Sequence, residues 1–165
     1  MQTHLIIGNI FSFMSAVCIA ISVMQKSKKN SMFWQIWDAF FGSLATWVLS
    51  AYAALIISVA SVIRNVLSYK DKLSKSVTFV IAISSIIVGA ISNNIGIIGW
   101  LPIASVALYT VCVYWAKNDQ QIRYAMFVNM VLWGTHNFYV QAYSGVVANI
   151  SLCVWTAVQI VKHKK

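Results

Sequence analysis

Asp38 and Arg64 are the residues here whose chemistry is hardest to place. Asp38 lies in an otherwise apolar run from Ser31 to Ser50, and Arg64 lies six residues before Lys70 near the end of the next such run. With Asp38 about seven residues inside its run, its depth is near 10 Å at 1.5 Å per residue. Arg64 falls at a similar depth. A carboxylate in hydrocarbon costs on the order of 2.5–3.5 kcal/mol at the bilayer centre and less near the edge. An ion pair across the short hairpin offsets that cost; alternatively Arg64 snorkels to the headgroups and Asp38 serves as a gate or coupling-ion site. Uncharged polar groups form a second set. His136 and Asn137 sit in the outer third of one run, either as interhelical glue or as binding groups. Asn149 lies near the middle of the last run, with Ser58 and Ser61 at comparable depth in the third. Asn129, Asn65 and Gln159 extend the ladder. Amides facing lipid go unsatisfied, so a ladder of them predicts a polar path inside a helix bundle.

The elements that must position these groups follow from composition. Of 165 residues, 60% are hydrophobic and 9% charged, with a mean hydropathy of +0.76. A soluble domain carries about a quarter charged residues, so much of this apolar surface must face lipid. Soluble enzymes, disulfide-stapled secreted domains and disordered chains are excluded. A span uses about 20 residues. Seven spans are expected, at 4–24, 31–50, 51–69, 76–92, 95–115, 121–141 and 142–161. The double-length run 31–69 must reverse near Ser50-Ala51-Tyr52, and the run 76–115 must reverse at Ser92-Asn93-Asn94-Ile95-Gly96. Met1 to His4 lack the basic start of a cleavable signal peptide, so the first helix is expected to stay.

The net charge of +9 does not indicate nucleic acid, because the basic residues fall at span ends and not along one face. Lys26, Lys28, Lys29, Lys70, Lys72, Lys75, Lys117, Arg123, Lys162, Lys164 and Lys165 occupy alternate links and the C-terminal end. Positive-inside insertion then predicts an outside N-terminus and a cytoplasmic C-terminus. Cys18, Cys112 and Cys153 have no partners at ligand spacing and are read as packing residues, with no metal or cofactor expected. Pro102 is either a hinge or a residue tolerated near a helix start. No motif for nucleophilic, metal or phosphate chemistry occurs, so no enzyme is expected.

Spans one to three and five to seven share one plan. Aligning Ala51-Tyr52 with Ala142-Tyr143 sets an offset of 91 residues that places Asp38 on Asn129 and Trp47 on Phe138. The expected fold class is an all-α integral membrane protein of seven transmembrane helices. Two parallel three-helix repeats, 1–72 and 95–165, are joined by a linker helix within 73–94. Such a plan recurs among transporters, with the site at the midplane between repeats.

Leu101-Pro102-Ile103, the run from Trp133 to Phe138, and Ile63-Arg64 before a basic end resemble the YgjV family of bacterial inner-membrane proteins over nearly the whole chain. More distantly, Val147-Ala148-Asn149-Ile150-Ser151 and the 3+1+3 plan are similar to the SWEET and SemiSWEET sugar facilitators and to the nicotinamide-riboside transporters. The resemblance implies that Asn149 faces a solute, that Ser58 or Ser61 is its counterpart, and that Trp47 and Phe138 are aromatic walls. This sequence departs from the sugar carriers in having no Pro-Gln pair and no proline in span one, which weakens a sugar as substrate more than it weakens the fold. The function expected is a facilitator of a small polar solute such as a sugar, nucleoside or vitamin-like molecule, in a lipid bilayer of the bacterial inner membrane. The alternative is a non-transporting scaffold or regulatory subunit whose polar residues only pack helices. The sequence allows a homodimer.

Overall fold

The computed structural model describes residues 2–25, 28–115 and 119–162. Lys26, Lys117, Lys164 and Lys165 lie outside the described residues. Seven α-helices account for nearly all of these residues: α1 (Gln2–Met24), α2 (Lys28–Val48), α3 (Tyr52–Tyr69), α4 (Lys75–Ile91), α5 (Trp100–Trp115, preceded by a 3₁₀ turn Gly96–Gly99), α6 (Asp119–Tyr139) and α7 (Tyr143–Lys162). Each covers an expected apolar run. Pro102 sits in the first turn of α5, where a missing N–H is tolerated, and there it is buried.

Among the described residues four segments can cross a membrane by length and composition: Thr3–Met24, Tyr52–Tyr69, Gly96–Trp115 and Tyr143–Lys162. The other three helices fall short for identifiable reasons. α4 is apolar but has only 17 residues. Helices α2 and α6 are long enough, yet Gln35 and Asp38 in one and Arg123, Asn129, His136 and Asn137 in the other dilute their hydropathy.

Packing follows a closed order. α1 packs on α2, α2 on α3, α3 on α5, α5 on α6, α6 on α7, and α7 back on α1; α4 docks outside this ring against α3 and α5. Gly89 of α4 allows that close approach, since a Cβ there would meet Ile103 and Ile57. Those two belong to a small apolar core with Ala53 and Val106.

The two tight reversals have the same construction 91 residues apart. Ser50 and Gln141 adopt left-handed conformations (φ 58° and 61°). Ser50 N–H donates to the Trp47 carbonyl and Ala51 N–H to the Thr46 carbonyl. Gln141 and Ala142 bond Phe138 and Asn137 in the same way. These bonds satisfy carbonyls at the helix end and stop α2 and α6 sharply. An asparagine from elsewhere clamps each turn. Asn94 donates to the Ser50 carbonyl at 2.8 Å and accepts from Tyr52 N–H at 3.3 Å. Asn9 donates to the Gln141 carbonyl at 3.1 Å and accepts from Ser144 N–H at 3.3 Å.

These clamps gather Asn9, Asn94 and both reversals at one end of the bundle, which carries no Lys or Arg among the described residues. At the opposite end Lys29 lies over the Tyr69 ring at 5.1 Å, and Gln120 donates to the Ile160 carbonyl at 2.8 Å. Lys70, Lys72, Lys75, Arg123 and Lys162 share that end through the same links.

Candidate functional site

The six ring helices enclose a cavity of about 130 Å³; α4 contributes nothing to its lining. The lining residues follow helical spacing. On α2 they include Gln35, Asp38, Gly42 and Thr46, and on α6 Met126, Asn129, Met130, Trp133 and Asn137. Positions three or four apart share one helix face, so the polar residues that lower the hydropathy of α2 and α6 turn inward. The opposite faces carry Phe33, Trp37 and Phe40 on α2 and Tyr124, Val128 and Val131 on α6, all exposed on the outside of the bundle.

Asp38 lies ten residues from either end of α2, about 15 Å along the helix at 1.5 Å per residue. It is therefore mid-helix, because Lys28 to Asn30 extend α2 ahead of the apolar run. Its Oδ1 accepts a hydrogen bond from Ser15 Oγ of α1 at 2.6 Å. Asn129 occupies the same position in α6, and its Oδ1 accepts from Ser105 Oγ of α5 at 2.6 Å.

Arg64 is buried in α3. Its Nε and Nη2 donate to Asn65 Oδ1 at 3.0 and 2.9 Å, and Nη1 donates to Thr110 Oγ1 of α5 at 3.3 Å. The guanidinium also lies 4.9 Å from the centre of the Tyr109 ring, a cation–π contact. Asn65 in turn donates to the Gln35 carbonyl of α2 at 3.1 Å, which fixes the platform under Arg64. Arg64 does not snorkel. Among the described residues Asp38 and Arg64 form no ion pair, although both line the cavity. Two opposite charges thus face one space, each held by uncharged groups.

Of the residues singled out in the sequence, the cavity brings together Asp38, Ser58, Ser61, Arg64, Asn65, Asn129, Asn137 and Asn149. Asn149 Nδ2 donates to the Gly145 carbonyl of its own helix at 2.8 Å. Ser61 donates to the Ile57 carbonyl at 3.0 Å. Four residues stand elsewhere, among them Gln159, half-buried on α7 outside the lining. Trp47 and Phe138 are 61% and 68% exposed on the outer surface and are not aromatic walls. Each lies nine residues beyond Asp38 or Asn129, which at about 100° per residue is half a turn off the lining face. His136 is fully buried, its ring edge-on to Trp133 at 5.6 Å, and neither ring nitrogen has a hydrogen-bond partner. It stands behind the aromatic that does line the cavity.

Sequence reasoning missed Ser12, Ser15, Gln35, Tyr109 and Trp133 as lining groups. The signal for one of them was available: Gln35 belongs to a polar and small stripe with Asp38, Gly42 and Thr46 at helical spacing. The three cysteines are free thiols. Among the described residues no group of three His, Cys, Asp or Glu could hold a metal ion.

No curated protein and no solved structure matches this sequence, so the likeness to sugar facilitators rests on the residues quoted for it. One family model does match, over residues 6–165, and its description is bacterial inner membrane protein. An all-helical bundle with an apolar exterior and charged groups turned inward agrees with that description, and the chain belongs to the Imp-YgjV family of bacterial inner membrane proteins.

Proposed function

We propose that this protein is a multi-pass transporter, a facilitator, that moves a small polar solute across the inner membrane by alternating access. The observation that carries the reading is the central cavity, walled by six helices and lined by Asp38, Arg64, Asn129 and Asn149. Membrane bundles keep ionisable residues where they face a pathway or a partner. An amide both donates and accepts, and Trp133 and Tyr109 supply flat apolar cover, so a solute with polar and apolar faces fits such a lining.

All seven helices cross the bilayer in this reading, α2 and α6 with polar residues turned inward and aromatic faces turned to lipid. The basic end lies in the cytoplasm, as positive-inside insertion requires, which puts the N-terminus outside. Residues 1–72 and 95–165 act as two three-helix units joined by α4. Two observations support that division: the shared turn construction at an offset of 91 residues, and the matched serine bonds to Asp38 and Asn129. The units rock about the cavity; no bond of the solute is made or broken.

The test is solute uptake into liposomes containing the purified protein, across sugars, nucleosides, vitamin-like molecules and small amino compounds. Saturable uptake lost in Asn149→Leu supports the proposal. If no solute moves, and Asn149→Ala and Asn129→Ala alter only thermal stability, the polar groups merely pack helices and the scaffold reading replaces it.

A further inference from the structure

We propose that the solute of the central cavity is a small zwitterion, with its cationic group at Asp38 and its acidic group at Arg64. This names the solute class for the site proposed above and rests on that reading for the solute's passage, while its binding rests on the cavity alone.

The argument is one of charge balance. The protein has three acidic side chains, Asp38, Asp71 and Asp119; Asp71 is in the turn after α3 and Asp119 begins α6, so only Asp38 stands within the bundle. Among the described residues Arg64 is the one Lys or Arg lining the cavity. Each of these charges has neutral partners: Ser15 for the carboxylate, Asn65, Thr110 and the Tyr109 ring for the guanidinium. Buried charges gain most from opposite charges with good hydrogen-bond geometry. Both retain capacity for such a partner. Three of the five guanidinium N–H groups are engaged, which leaves one on Nη1 and one on Nη2, and Asp38 has an unoccupied Oδ2.

The lining side chains sum to zero charge. A lone cation satisfies Asp38 but adds charge beside Arg64, and a lone anion does the reverse. A sugar leaves both charges with neutral company. A net-neutral solute with separated charges satisfies both at once, and the gap between the two side chains sets its charge separation.

The experiment measures binding by calorimetry and melting shift, with purified full-length protein in nanodiscs. The probes are glycine, 3-aminopropanoate, 4-aminobutanoate and glycine betaine; acetate, methylammonium and glucose are the comparison set. At least one zwitterion should bind, with a preference for one spacing, and the comparison set should bind at least about tenfold more weakly. Asp38→Asn keeps an acceptor for Ser15 and should weaken zwitterion binding roughly ten- to a hundredfold, as loss of a charged hydrogen bond implies. Asp38→Glu should retain binding and move the preference to a shorter spacing. The proposal is overturned if no zwitterion binds, if acetate, methylammonium or glucose binds as well, or if Asp38→Asn leaves affinity unchanged in a folded protein. Liposome flux separates this from the transport reading. Zwitterion binding without flux removes the transporter and keeps the ligand; flux of other solutes without zwitterion binding does the opposite.

Discussion

The charge on Asp38 can be tested through its serine. Ser15 and Ser105 each donate to a mid-helix oxygen at 2.6 Å, one on Asp38 and the other on Asn129. Geometry is matched and charge is not. Interhelical hydrogen bonds in membranes average about 0.6 kcal/mol, and bonds to an ionised group are roughly twice as strong. Ser105→Ala should therefore cost about 0.6 kcal/mol and Ser15→Ala about 1.2–1.7 kcal/mol. The small gain in helix propensity on replacing Ser by Ala is common to both and cancels. Burial works against this ranking, since Ser105 is only 1% exposed and Ser15 is half-buried. A larger loss at Ser15 therefore reports the carboxylate. The assay is reversible unfolding in mixed micelles, in which the two variants should differ about three- to sixfold in unfolding equilibrium. In an Asp38→Asn background the Ser15→Ala cost should fall to the Ser105 value. Equal costs in the parent would mean that Asp38 is neutral at rest, and the charge-balance argument for a zwitterion would fail with it.

Trp47→Leu and Phe138→Leu should leave solute binding unchanged by calorimetry, because both rings lie outside the bundle; a tenfold loss in either would return them to the site. Ser50→Gly and Gln141→Gly should each raise stability by roughly 0.5 kcal/mol in chemical unfolding. Left-handed strain of about 1–2 kcal/mol is relieved and a glycine entropy cost of about 0.5–1 is incurred; destabilisation by both would contradict the shared turn geometry. Gly89→Val should lower the melting temperature, because its Cβ would stand 2.8 Å from Ile103 Cγ1 and 3.2 Å from Ile57 Cδ1, and overpacking costs about 1–3 kcal/mol. With the three native cysteines replaced, an impermeant maleimide on intact cells should label Gln141→Cys and not Asp71→Cys; the reverse pattern would overturn the proposed orientation.

Helix positions were legible because apolar runs of twice the bilayer thickness must fold back, and Ser50 and the Ser92–Gly96 segment offer the turns. What failed was rotation about the helix axis. The offset of 91 residues paired Trp47 with Phe138 and gave no information about which way they face. Facing could have been read from the stripe Gln35, Asp38, Gly42 and Thr46, from which Trp47 is excluded by half a turn. Pairing stayed open in the sequence. Similar depth allowed an Asp38–Arg64 bridge or a separate gate, but depth places residues in a layer and not on facing walls, and Asn65 beside Arg64 takes two of its donors. Ser15 carried no signal at all, since one serine in an apolar helix is ordinary.

The residues 91 positions on from the two charges sharpen the functional argument. Asn129 stands at the position of Asp38, and Trp155 at that of Arg64. Asn129 lines the cavity, whereas Trp155 is 49% exposed on the outside. Both cavity charges therefore come from α2 and α3, and α6 and α7 contribute amides and Trp133. An asymmetric lining of this kind lets one unit hold the ionic ends of a solute while the other moves across its uncharged surface. Moving a neutral wall past a bound ion breaks fewer charge-assisted bonds than moving a charged one. If the units rock, charge should stay with residues 1–72, and substitutions at Asn129 or Asn149 should alter the rate of exchange more than the affinity.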